Sequence, residues 1–135
     1  MSGITELSLL IKSMSPKLQA EEYVFCSVPK QAFSQYALLE PICTFQEKEG
    51  ITLIVTVQQA MQANLSFDGK FKQITLQVHS SLDAVGLTAA VSTKLASVGI
   101  SANVVAAYFH DHVYVPSDKA DEAMEALLEL SEAGK

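Results

Sequence analysis

The fold is decided by residues 71–116, FKQITLQVHSSLDAVGLTAAVSTKLASVGISANVVAAYFHDHVYVP. From Phe71 to His79, Ile74, Leu76 and Val78 face one side, while Lys72, Thr75, Gln77 and His79 lie off that face. This is the pattern of a strand covered by helices on one side only. Leu87, Val91, Leu95 and Val98 then recur on one helical stripe. Ser80 and Asp83 stand in the S-x-x-D arrangement of a capping box, and Asp83 alone is the alternative cap. Gly99 followed by Ile100 is the expected helix stop, a left-handed residue and then an apolar one that packs back on the last turn. Ser101 to Tyr108 and His112 to Val115 read as a hairpin around Phe109 to Asp111, with Asp111 suited to a left-handed turn position and the His side chains exposed or at an interface. Pro116 and Ser117 open a last helix that buries Ala120, Ala123, Met124, Leu127 and Leu130 and places Asp118, Asp121 and Glu122 near its positive end.

The order β-α-β-β-α is most of a ferredoxin-like βαββαβ unit, in which the first and third strands lie side by side at the centre. The fourth strand is absent from this stretch. The strand from Phe71 to His79 is therefore left at an edge whose unpaired backbone groups require a neighbour, from the first half of the chain or from a second subunit.

Working outward, Leu7, Leu10, Ile11 and Met14 have helical spacing, with Thr5 as cap and Pro16 just past the end. Glu22 to Val28 reads as a strand ended by Pro29. Lys30 to Glu40 has no clear period and reads as loop, with a helical turn around Ala32 to Tyr36 as the alternative. Ile42 to Lys48 and Ile51 to Val57 pair across Glu49-Gly50, where the glycine can supply a positive φ. Ile54, on the face opposite Leu53 and Val55, points to partial burial of both faces there. A brief helix follows from Gln58 to Asn64, and Phe67-Asp68-Gly69 marks the boundary between two halves, 1–69 and 70–135.

Composition narrows the function. The chain has 135 residues, 49% of them apolar, enough for a packed core. Its formal net charge of -6 and its lack of Arg argue against binding nucleic-acid backbones. The same lack removes the usual guanidinium clamp for carboxylates, so an anion must be held by backbone N–H groups, hydroxyls, His or Lys. The first residues carry neither a basic leader nor a long apolar run, and no segment is long enough to span a bilayer, so the expected location is cytoplasmic. Cys26 and Cys43 form no CxxC pair and are expected to be reduced, with a disulfide conceivable only between neighbouring strands.

The blocks TLQVHSSLDAVGLTAAVS and GISANVVAAYFHDHVYVP, with EYVFCSVP near the N-terminus, resemble the ACT domain, a small amino-acid-sensing module of regulated enzymes. The match is closer to short bacterial proteins built from tandem ACT-like halves. The resemblance implies an α+β protein of two ferredoxin-like, ACT-type halves with antiparallel-containing sheets and helices on one face, the first half rearranged by its leading helix. It also implies a small effector, often an amino acid, held where two modules meet by the loop before the first helix. The matching positions are Asp83, Ala84, Val85, Gly86 and Leu87, with Val85 in place of the common Pro. Where many ACT domains have Gly-Ile-Asn, Gly99-Ile100 is followed by Ser101. Asn103, two places on and on the same strand face as Ser101, would replace the amide.

The residues support the same loop independently of the resemblance. Free N–H groups and the positive end of the helix dipole favour a carboxylate, and Gly86 permits close backbone approach. Ser80 and Ser81 add hydroxyls, and an ionised Asp83 suits an ammonium group. The plain structural reading of the same loop is a capped helix start with a packing glycine, and that of Asn103 is a polar residue on an exposed strand face. His110, Asp111 and His112 with His79 are the only dense set of metal-ligand residue types, but a hairpin turn points side chains into water, so no metal site is expected. Neither a GxSxG elbow nor a GxGxxG or Walker loop occurs, so no catalytic residues or cofactor are expected. The expected protein is a stand-alone regulatory binder of a small molecule, an amino acid by the resemblance, that forms a homo-oligomer and passes its output to a partner protein such as an enzyme. The alternative is an oligomerisation module without a small ligand.

Overall fold

The computed structural model describes residues 6–79 and 85–133. The chain forms two compact units, one of residues 1–20 with 72–135 and one of residues 21–71. The sequence boundary near residue 69 and this division differ over residues 1–20. Helix α1 (Leu7–Ser13) and the start of strand β1 (Pro16–Val28) belong to the larger unit. The cause is burial: Leu10 and Met14 are fully buried in the larger unit's core. Side chains of that size contribute roughly 1.5–3 kcal/mol each when fully buried.

In the larger unit the strand order is β1, β4 (Phe71–Leu76), β6 (Asp111–Pro116), β5 (Asn103–Ala106). The first and third strands of the expected unit, β4 and β6, are adjacent, as the ferredoxin-like pattern requires. The missing fourth strand is supplied by the chain's own N-terminal segment. Beyond β4, the amides of Gln77 and Val78 reach the carbonyls of Ser15 and Met14, both at 3.4 Å. Ser15 turns the chain at φ 43°, so Pro16 does more than end a helix: it is the first residue of β1, a strand position that tolerates a missing N–H.

Helices α1, α4 (Leu87–Ser97) and α5 (Ala120–Ala133) cover one face of this sheet. Leu87, Val91 and Leu95 form the buried stripe of α4, whereas Val98 is about half exposed at the C-cap. The helix stops as its sequence indicates. Gly99 has φ 77°, its N–H reaches the Ala96 carbonyl at 3.0 Å, and that of buried Ile100 reaches Leu95 at 2.9 Å. Glu6 caps α1, accepting from the amides of Ser8 and Leu9, while Thr5 lies outside the described residues. The opposite sheet face departs from expectation: Gln73 and Thr75 are only 5% and 7% exposed, so β4 is buried on both sides.

In the smaller unit the order is β2 (Cys43–Gln46), β3 (Ile51–Thr56), β1, with both pairings antiparallel. Its core joins Val24, Cys26 and Val28 to Ile51, Leu53 and Val55, and Ile54 is buried on the second face. Helix α3 (Val57–Gln62) is closed by a reciprocal capping box between Thr56 and Gln59. The Gln59 amide also holds the Leu39 carbonyl at 2.7 Å. The segment left as loop contains a 3-10 turn, Lys30–Ala32, and helix α2 (Phe33–Ala37), whose Phe33 and Tyr36 pack on this core.

One sequence reading changes here and one holds. Gly50 does not supply a positive φ. It is required because a Cβ there would lie 2.8 Å from the Val28 carbonyl oxygen and 3.0 Å from Ser27 Oγ. Cys26 and Cys43 sit on strands separated by β3, roughly 9–10 Å apart at the usual strand spacing, and both are free thiols.

Candidate functional site

The candidate loop leads into α4 through a glycine that no other residue type fits well. Gly86 is the N-cap, with φ 104° and ψ -16°, and no side chain caps the helix among the described residues. The N-cap is therefore Gly86 and not Ser80 or Asp83, because the helix starts later than the S-x-x-D pattern places it. The first intrahelical bond runs from Ala90 N–H to the Gly86 carbonyl at 2.8 Å, so the amides of the turn before it have no partner within the helix. Those amides and the helix dipole make this end electropositive without any Arg.

The expected site residues divide into three groups. Val85 is 81% exposed, Gly86 follows it, and Leu87 is buried in the core. Ser80, Ser81, Asp83 and Ala84 lie outside the described residues. Asn103 is exposed on β5, paired with Tyr114, and the connection 99–102 places it at the far end of α4 from Gly86. An 11-residue helix separates these ends by about 16 Å.

Gly86 meets another part of the protein before it could meet a ligand. A Cβ at this position would stand 3.0 Å from Leu7 Cδ2 and 3.4 Å from Cδ1. Beside this contact an open groove of about 580 Å³ runs along α4, lined by Gly86, Ala89, Ala90, Thr93, Lys94 and Ser97 and flanked by Leu7 and Leu130. Its lining is mainly apolar. Lys94 is engaged with Glu129 at 2.8 Å, which leaves the groove without a free cation of its own among the described residues.

The hairpin residues sit near the end of β4. His110 Nδ1 lies 3.3 Å from the Val78 carbonyl oxygen, and the Phe109 ring packs at 5.5 Å from the His79 ring and 5.0 Å from Tyr108. Asp111 is not a left-handed turn residue: it opens β6 and is only 8% exposed. Burial pushes its carboxyl above the ordinary carboxylate range, opposed by the nearby His112 and His110. The His side chains are likewise half-buried, and His112 Nδ1 contacts Thr75 Oγ1 at 3.1 Å. No three His, Cys, Asp or Glu side chains converge on one point among the described residues. Sequence reasoning missed Gln73, Thr75 and Tyr114 as buried polar residues: alternation put Thr75 off the covered face, and nothing in the sequence drew attention to the other two.

The geometry defines a class first: an α+β chain in which a ferredoxin-like sheet is followed, after its first central strand, by a helix whose N-terminus no side chain among the described residues caps. ACT domain models match residues 2–72 and 70–129, and the chain belongs to the ACT-domain family as a tandem pair. A comparison with curated protein sequences gives no match. Among solved structures, a Vibrio cholerae protein of unknown function, described as a possible transport protein, is 55% identical, with a TM-score of 0.85 over 96% of this chain and 99% of its own. The ligand-free regulatory subunit of aspartate kinase from Thermus thermophilus has a TM-score of 0.67 at 11% identity, over 87% of this chain and 97% of its own. The structure of aspartokinase alpha and beta subunits has a TM-score of 0.63 at 12% identity, over 85% and 95%. No helix among the described residues is long and apolar enough to cross a membrane.

Proposed function

We propose that this tandem ACT protein is a cytoplasmic, non-catalytic regulatory binder of an amino acid, acting as a homo-oligomer or through a partner enzyme. The observation that carries this reading is the start of α4 at Val85-Gly86, exposed at Val85 and capped by no side chain among the described residues. Family membership and the likeness to aspartate kinase regulatory subunits support it. The ligand carboxylate is received by the first amides of α4, with Ser80, Ser81 and the 83–87 loop around it and Asp83 facing the ammonium group. Asn103, at the other end of α4, joins such a site only from a neighbouring module. The sites belong to ACT halves 1–69 and 70–135, and the ligand acts by favouring one arrangement of modules over another.

The test is a thermal-shift and calorimetric screen of the amino acids against the full chain. A true ligand at ~100 times its Kd adds about 2.7 kcal/mol of stability. Val85→Asp, which places a carboxylate at an exposed position without disturbing the core, is expected to abolish that gain. Undiminished binding in this variant refutes the location, and a flat response across the panel refutes the ligand class. The second reading, an oligomerisation module without a ligand, rests on exposed apolar side chains such as Leu38 at the end of α2 and Phe45 on the edge strand β2. A flat panel with an intact oligomer favours it.

A further inference from the structure

On the sheet face of the larger unit away from its helices, four hydrogen bonds meet in one chain of side chains. Gln19 Nε2 donates to Thr75 Oγ1 at 3.0 Å, and Gln73 Nε2 donates to the same oxygen at 3.2 Å. Tyr114 donates its hydroxyl proton to Gln73 Oε1, and Thr75 Oγ1 lies 3.1 Å from His112 Nδ1. A threonine hydroxyl has two acceptor lone pairs and one proton. Both lone pairs are taken by the glutamine amides, so the proton must go to His112 Nδ1. This fixes His112 as the neutral imidazole with its own proton on Nε2.

We propose that His112 is a proton-operated latch that holds the N-terminal segment, residues 16–20, against β4. Protonation of Nδ1 sets an N–H against the Thr75 oxygen, whose lone pairs are already filled. One amide donor must then leave. Gln73 is buried and also held by Tyr114, whereas half-buried Gln19 is the one free to go. Gln19 ties β1 to β4 across this face beside their backbone pairing, and Gln77 Nε2 makes a separate tie to the Ser15 carbonyl at 2.9 Å and to Ser15 Oγ at 3.1 Å, so acid removes one tie and loosens, without freeing, the strand that completes the unit.

The ionisable groups around His112 do not supply the proton's countercharge cheaply. On β6 they are His110, Tyr114, whose hydroxyl is held by Gln73, and, from the core side, Asp111. On β1 the side chains of the same parity as Gln19 are Lys17 and Glu21, and beyond β4 the corresponding group is His79. Within β4 and β5 this face carries no ionisable side chain. Burial pushes the His112 pKa below the ordinary imidazole value, with His110 acting in the same direction and Asp111 against it. The folded form thus prefers the neutral ring. Its contribution is full above the ordinary histidine pKa and is lost as pH falls toward the lowered value.

The experiment is long-range proton–nitrogen NMR of the full chain, with amide exchange followed from pH 8 to pH 5. His112 should show an unprotonated Nδ1 at pH 8. Exchange of the Gln77 and Val78 amides, corrected for intrinsic rates, should accelerate by up to about tenfold per pH unit within the window. In Thr75→Val, shown by its spectrum to remain folded, protection should be low and flat with pH. In His112→Gln, whose amide oxygen can still accept from Thr75, protection should be high and flat. A proton on Nδ1 at pH 8, or pH dependence persisting in either variant, overturns the latch.

Discussion

Replacing Gly86 by alanine separates what this glycine does for the fold from what it does for a ligand. The backbone there stands at φ 104°, a conformation that L residues rarely adopt, and holding one in it costs on the order of 1–3 kcal/mol. The added Cβ would also sit 3.0 Å from Leu7 Cδ2. Leu7 is 38% exposed and its contacting atoms are the far end of a flexible side chain, so it can swing outward, and the steric share should be small. Gly86→Ala is thus expected to destabilise the chain by about 1–3 kcal/mol, nearly all of it conformational. Urea unfolding of the wild type, Gly86→Ala, Leu7→Ala and the double variant completes a cycle whose coupling term reports the Leu7 contact alone. Coupling below about 0.5 kcal/mol is expected if the backbone carries the cost. A Gly86→Ala loss under about 0.5 kcal/mol, or a coupling that accounts for the whole loss, would refute the conformational argument. It also explains why Val85 is the better position for testing ligand binding: it can be changed without strain.

Gly50→Ala should destabilise by about 1–3 kcal/mol through overpacking, since the obstructing atom is the Val28 carbonyl and not a movable side-chain tip; denaturant midpoints would show it, and a neutral result would mean that the β1 and β3 backbones separate readily. Asp111→Asn should raise stability at neutral pH, because a carboxyl whose folded pKa is raised binds more protons when folded and is penalised above that value. The gain should vanish as pH falls below the ordinary carboxylate pKa, and a pH-independent difference in unfolding free energy would argue against it. Cys43 should react with a thiol reagent in the native protein while Cys26, buried and with its thiol pKa pushed up by that burial, reacts only on unfolding; equal native rates would contradict the burial pattern.

Two glycine positions, one at each end of α4, could be read before any fold was known. Gly86 was legible because a glycine before a helical stripe has few roles, and Gly99-Ile100 because a helix stop needs a left-handed residue followed by an apolar one. The start of α4 was less so. Ser80 and Asp83 have the right side chains for a cap, and side-chain type does not reveal that the chain turns helical only after Gly86. Asn103 shows the same limit at longer range: strand alternation gives its face, but not the end of α4 at which it stands.

Sequence by itself determined the apolar stripes, the order β-α-β-β-α and the ACT resemblance, because these depend on periods of two and 3.6 residues and on short motifs. Tertiary structure alone decided that residues 16–20 fill the fourth-strand position, since that pairing joins segments more than fifty residues apart and leaves no local period. The same holds for the polar chain through Gln19, Thr75 and His112. Each residue reads as an ordinary exposed position, and only their convergence on one hydroxyl, with two lone pairs and a single proton to share, fixes what the histidine must be.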